Sequence, residues 1–166
     1  MMTRWLRLGV LPVVALAAGA CDSSQSPVSP TPVPAVVTAD LLAALDSGIQ
    51  DEYRAEAIYQ GVVNDFGPVL PFTQILMAEL RHSTTIAQLY TKRGLPVPAS
   101  QATVSTVPHF ATVREACAAG VVAERENIAL YDRLLGGVLP DDVRLVFSNN
   151  RRASLDNHLP ASVACW

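Results

Sequence analysis

From Thr38 onward the chain keeps a helical rhythm of apolar positions almost to its end. Over residues 39 to 66, Leu42, Leu45, Ile49, Glu52, Glu56, Tyr59 and Val63 follow a strict three-four spacing, which is one stripe along a helix. Gly67-Pro68 closes that stretch. A second begins at Pro71, a residue suited to a first turn, and carries Phe72, Ile75, Glu79, His82, Ile86 and Leu89 in line as far as Lys92. Gly94-Leu95-Pro96 ends it, and residues 95 to 110, with Pro96, Pro98 and Pro108 and no sustained period, read as a long connection. The third stretch, 111 to 136, aligns Val113, Cys117, Gly120, Glu124, Ile128, Tyr131 and Leu135 before Gly136-Gly137. The fourth starts at Pro140 with Asp141 and Asp142 set against the positive end of the helix dipole. Its stripe is Val143, Phe147, Asn150, Ser154, His158, Ala161 and Cys165.

Short links make antiparallel neighbours, whereas the long connection has the reach to cross a bundle from end to end. The predicted fold is all-α: an antiparallel four-helix bundle over residues 38 to 166, built of two helical hairpins joined by a long crossover. No strand pattern competes with it.

The stripes contain the wrong residues for an ordinary core. Glu52, Glu56, Glu79, His82, Glu124 and His158 stand where the spacing points inward. An unpaired carboxylate costs several kcal/mol to bury, so a core accepts several only when something compensates. A cation does so directly, and Glu with His is the ligand set of iron and manganese sites in bundles. Glu79 and His82 form Glu-x-x-His, which sets both side chains on one helix face. Singly, each has a plainer reading. Glu52 and Glu56 fit a solvated i,i+4 pair, and His82 a hydrogen-bonded core histidine. Tyr59, Tyr90 and Tyr131 read as packing residues, and Glu126 and Asp156 as surface.

Register supports the second hairpin. Residues level with each other in an antiparallel pair share a constant index sum, and Glu124 with His158 has the same sum as Cys117 with Cys165. The alignment that brings glutamate to histidine therefore brings the two cysteines level as a disulfide, with Pro160 between them as the place for a kink. A faint repeat relates the halves: Glu52, six residues, Tyr59 matches Glu124, six residues, Tyr131.

The first 37 residues belong to another regime. Arg4 and Arg7 precede an apolar run from Leu8 to Ala18, too short to span a bilayer, in the layout of a secretory signal over residues 1 to 20. Ala18-Gly19-Ala20-Cys21 resembles the lipobox of bacterial lipoproteins, although leucine is commoner where Ala18 stands. That resemblance implies an acylated Cys21, a lipid anchor and an envelope location facing the periplasm or the cell exterior; the alternative is an ordinary secreted protein cut near Ala20. Residues 22 to 37, with four prolines and four serines, form no apolar face and read as a stiff solvated tether from Cys21.

Composition narrows the function further. Of 166 residues, 50% are hydrophobic and 16% charged, enough for one cored domain. The net charge of −3 becomes more negative once Arg4 and Arg7 are cleaved away, which excludes a nucleic-acid binder relying on a basic face. A homodimer and a protein partner both stay open. No Cys-x-x-Cys pair, Gly-rich phosphate loop or nucleophile elbow is present.

Glu52, Glu79-x-x-His82, Glu124 and His158 on four helices resemble the ferritin-like, rubrerythrin-type di-iron bundle. Residues 40 to 165 resemble in particular an uncharacterised prokaryotic branch of that superfamily, through Pro71-Phe72, Gly120-x-x-x-Glu124, Asn127-Ile128, Ser154 and Asn157-His158-Leu159. The resemblance implies iron or manganese, mono- or dinuclear, held by Glu52, Glu79, His82, Glu124 and His158, and oxygen or peroxide chemistry if the chain is an enzyme. One position departs. The second Glu-x-x-His is absent, because Leu155 stands three before His158. Glu56, Asp156 or a water are candidates to fill the place, or a single metal binds. The same departure suits a non-catalytic envelope scaffold or binding module with a vestigial site.

Overall fold

The structure is a computed structural model and describes residues 37–165. The expected signal segment, the expected acylation position Cys21 and nearly all of the expected tether lie outside the described residues. Among the described residues the protein is all-α, without strands. The helices are α1 (Ala39–Phe66), α2 (Phe72–Lys92), α3 (Val113–Leu135), α4 (Asp141–Ala153) and α5 (Leu159–Val163). A π-helical turn, Ser154–His158, joins α4 to α5 without a break. No described helix is long and apolar enough to cross a membrane.

Local chemistry sets the ends. Thr38 Oγ1 accepts from Leu41 N at 3.1 Å, and Thr112 Oγ1 from Glu115 N at 3.2 Å, so both long odd-numbered helices start on a threonine cap. Gly67, at φ 80°, adopts the left-handed conformation that ends α1 and turns the chain toward α2. The start of α4 is fastened to the end of α2, where Asp142 accepts from Lys92 and Arg93, both at 2.8 Å. The crossover contains one short 3-10 turn, Val104–Thr106, and is pinned to α1. Gln50 Nε2 donates to Ala99 O and Gln50 Oε1 accepts from Gln101 N, both at 2.9 Å, while His109 meets Asp65 at 2.7 Å.

The core is two apolar clusters with a polar layer between them. One holds Leu45, Ile49, Ile86, Tyr131, Val143 and Phe147, and the other Ile58, Tyr59, Val62, Phe72, Ile75 and Cys117. Along α1 the first ends at Ile49 and the second begins at Ile58, so Glu52 falls in the gap; along α2 the gap holds Glu79 and His82. Cys117 and Cys165 form a disulfide, Cα–Cα 5.7 Å, in the second cluster.

Several stripe positions are displaced by one residue. Leu41, not Leu42, faces the first cluster, and Val62 is buried more deeply than Val63. On α3 Asn127 is buried where Ile128 was expected. After His158 the inward residue is Ser162 rather than Ala161. Pro160 explains this last shift. It has no N–H to donate, and its ring would strike the carbonyl of Asp156 in a regular helix. The preceding turn opens to π geometry, with Leu159 N–H donating to Ser154 O, and the extra residue rotates everything beyond it.

Candidate metal centre

Four chain segments deliver one carboxylate or imidazole layer. Glu52 comes from α1, Glu79 and His82 from α2, Glu124 from α3 and His158 from the π turn, and the three glutamates are at most 2% exposed. Glu79 stands in the middle. Its Oε2 lies 2.9 Å from His82 Nδ1, and its Oε1 lies 3.0 Å from His158 Nδ1. His82 Nδ1 is also 3.4 Å from Glu52 Oε2, and His158 Nδ1 3.4 Å from Glu124 Oε2. The imidazoles stack with centroids 5.5 Å apart. The result is two groups that could each hold a metal ion, Glu52-Glu79-His82 and Glu79-Glu124-His158, sharing Glu79.

The outer oxygens are tied by tyrosines in a crossed pattern. Tyr59 of α1 donates to Glu124 Oε1 of α3, and Tyr131 of α3 donates to Glu52 Oε1 of α1. Asn150 Nδ2 adds a bond of 3.2 Å to the same Glu52 oxygen. The Glu-x6-Tyr repeat is thus reciprocal: each tyrosine serves the other half's glutamate. Both tyrosines had read as packing residues, and only their place in the repeat signalled this.

The donor set fits a cation. Glu52 Oε2 and Glu124 Oε2 are buried without a hydrogen bond, and these are the oxygens turned toward the imidazoles, each 3.4 Å from an Nδ1. Leaving such atoms unmatched costs about 1–3 kcal/mol each, more when charged, and coordination removes that cost.

Titration follows from the crowding. Burial, and then the charge of Glu79, raise Glu52 to about 8. Burial works to raise Glu79 too, but hydrogen bonds from His158 and His82 outweigh it and hold that carboxyl below the ordinary range. Burial opposes protonation of His82, yet Glu52 and Glu79 raise it to about 10; against the same penalty Glu124 and Glu79 raise His158 to about 9. Burial first, then the partner glutamate, lifts both tyrosines well above their usual range. Without a cation, the layer therefore holds two imidazolium groups as internal counter-charges.

The other candidates lie outside the layer. Asp156 is exposed on the outer side of the π turn, which corrects the expectation that it might serve as a ligand, and Leu155 is 40% exposed. Glu56, half-buried, belongs to neither group, although its Oε1 is buried without a hydrogen-bond partner. The residue facing inward one turn before His158 is Ser154, whose Oγ donates to Asn127 Oδ1 at 2.8 Å; Asn127 Nδ2 in turn donates to Asp51 Oδ2 at 2.8 Å. This Ser154-Asn127-Asp51 chain runs beside Glu79 and Glu124, and neither Asn127 nor Asp51 was foreseen in this role. A cavity of about 810 Å³ bounded by Leu41, Leu134 and Leu139 touches none of these Glu/His residues.

No protein-family model matches the chain, and no curated protein or solved structure is significantly similar to it.

Proposed function

We propose that the protein is a ferritin-like metal-binding bundle of the bacterial envelope, holding a pair of iron or manganese ions on Glu52, Glu79, His82, Glu124 and His158. The observation that carries this reading is the sharing of Glu79 between two Glu/His groups whose outer glutamates each leave one buried oxygen unmatched. In this reading Glu52, Glu79 and His82 would hold one ion, and Glu79, Glu124 and His158 the other. Such a pair would supply redox chemistry toward oxygen or peroxide. The chain's part is to hold the carboxylates in place through Tyr59, Tyr131 and Asn150, and to keep water out with the two apolar clusters. Envelope placement draws support from the Cys117–Cys165 disulfide, since such bonds persist in oxidising compartments, and from the lipobox-like Ala18-Gly19-Ala20-Cys21.

A second reading has its own observation. Ser154 stands where a sixth ligand would complete the layer, and its hydroxyl is already engaged by Asn127. That favours an anchored binding or scaffold module with a vestigial site.

Metal analysis of the purified full-length chain, with absorption spectra before and after peroxide, separates the two. Near-stoichiometric iron or manganese that is lost in Glu124→Ala supports the metal protein, and spectral turnover with peroxide extends it to catalysis. Metal-free protein whose melting temperature is unmoved by added iron or manganese overturns it.

A further inference from the structure

Two openings that share wall residues lie between the buried layer and the surface. Between α1 and the crossover lies a vestibule of about 520 Å³ whose wall includes Gln50, Gln101 and Pro108. Asp51 and Arg54 belong to its wall, and these same two residues line a second, much narrower cleft of about 10 Å³, room for roughly one water. Glu79 and Glu124 themselves also line that cleft. The vestibule and the cleft thus adjoin at Asp51 and Arg54, the neck between them, and the cleft's wall includes two of the glutamates. The buried Glu124 Oε2 has no hydrogen-bond partner.

We propose that divalent cations reach the Glu/His centre through this neck, with the Asp51 carboxylate as the transit ligand between the vestibule and Glu124. The proposal rests on the metal-binding reading above. The neck has the right chemistry for a partly dehydrated cation. Asn127 holds Asp51 in place at 2.8 Å, so the carboxylate is presented on a fixed mount rather than on a loose side chain. Arg54, the cationic side chain lining both openings, pairs with Glu126 at 3.6 Å, which offsets part of its charge. The remaining wall is Ala55, Ala123 and Ile58, and the two alanines leave a gap that a larger side chain would fill. The vestibule is held open from outside because Gln50 fastens the crossover at both Ala99 and Gln101. A negatively lined cleft between low-dielectric walls raises the local concentration of cations and their rate of arrival.

The test is the rate of Co(II) uptake by the full-length metal-free protein, followed by the ligand-field absorbance of the bound ion in a stopped-flow instrument. Asp51→Asn keeps the Asn127 hydrogen bond available but removes the charge, and should slow uptake about tenfold, a typical size for electrostatic focusing. Ala123→Phe should slow it further by filling the cleft. In both variants the final Co(II) content and the far-ultraviolet circular dichroism should equal those of the unaltered protein. Uptake at the unaltered rate in folded Ala123→Phe, or in Asp51→Asn should Ala123→Phe fail to fold, overturns the route. A lower final Co(II) content in Asp51→Asn also overturns it, because Asp51 would then be a permanent ligand. If the unaltered protein takes up no Co(II), the metal-binding reading itself fails, an outcome distinct from a wrong route.

Discussion

The hydroxyl of Tyr131, on α3, donates to the carboxylate of Glu52, on α1. Tyr59 does the same for Glu124 in the opposite direction. The two glutamates differ in one respect: Glu52 Oε1 also accepts from Asn150, whereas Glu124 Oε1 has no second donor among the described residues. Tyr59→Phe should therefore destabilise the metal-free protein by about 1–3 kcal/mol, the cost of an unmatched buried acceptor, and Tyr131→Phe by less. Urea unfolding of both variants checks the order, and equal stability of Tyr59→Phe and the unaltered protein would contradict it.

The pH dependence of the metal-free form follows from the same layer. His82 and His158 are raised from 6.5 to about 10 and about 9, so their stabilising contribution is complete below about 6.5 and is lost as pH rises through those values. Glu52 is raised from 4.5 to about 8, and an acid held neutral by folding likewise disfavours the fold increasingly between those values. All three act in one direction. Metal binding requires neutral imidazoles and ionised carboxylates, so loading expels about two to three protons and tightens with pH. The expected outcome is a gap in melting temperature between loaded and metal-free protein that widens from pH 6 to pH 9; a constant or narrowing gap contradicts it.

Two glycines on α1 should respond oppositely to alanine. At Gly48 a new Cβ would lie 3.2 Å from Phe147 Cε1, on a ring that is fully buried and closely packed. At Gly61 the nearest atom is Val104 Cγ1, at an ordinary 3.7 Å. Gly48→Ala should cost about 1–3 kcal/mol by overpacking, and Gly61→Ala should gain up to about 1 kcal/mol from helix propensity. Thermal unfolding of the pair is the check, and a shared sign would contradict the packing described.

The Cys117–Cys165 disulfide spans 48 residues and ties the segment after His158 to the helix that carries Glu124. Its reduction, or the double change to serine, should lower stability by about 2–5 kcal/mol. A chemical-denaturation midpoint unchanged by reductant would count against it.

Much of this arrangement is legible in the sequence, and the exceptions have physical causes. α2 follows its stripe, and α1 follows it through its middle from Leu45 to Tyr59 before slipping by one residue at each end; this is why Glu52, Glu79 and His82 are inward as the spacing predicts. Equal index sums put Glu124 with His158 and Cys117 with Cys165, because that relation depends only on antiparallel pairing. Beyond His158 it blurs, since Pro160 forces a π turn that no periodicity encodes, and Ser162 replaces Ala161 at the interior. Asp51 goes unremarked in the sequence, and Asn127 enters only through the resemblance, because polar residues flanking a stripe look like surface until a cross-helix hydrogen bond joins them. Asp156 was weighed as a ligand on sequence proximity to His158, a guide that the wide turn makes unreliable.

Crystals of the full-length protein loaded with iron or manganese, measured on either side of the metal's absorption edge, test the central claim most directly. Two anomalous peaks are expected, one against Glu52, Glu79 and His82 and the other against Glu79, Glu124 and His158, with Glu79 touching both. Difference maps without a peak between these five side chains, under conditions where the protein is folded and metal is in excess, would contradict it.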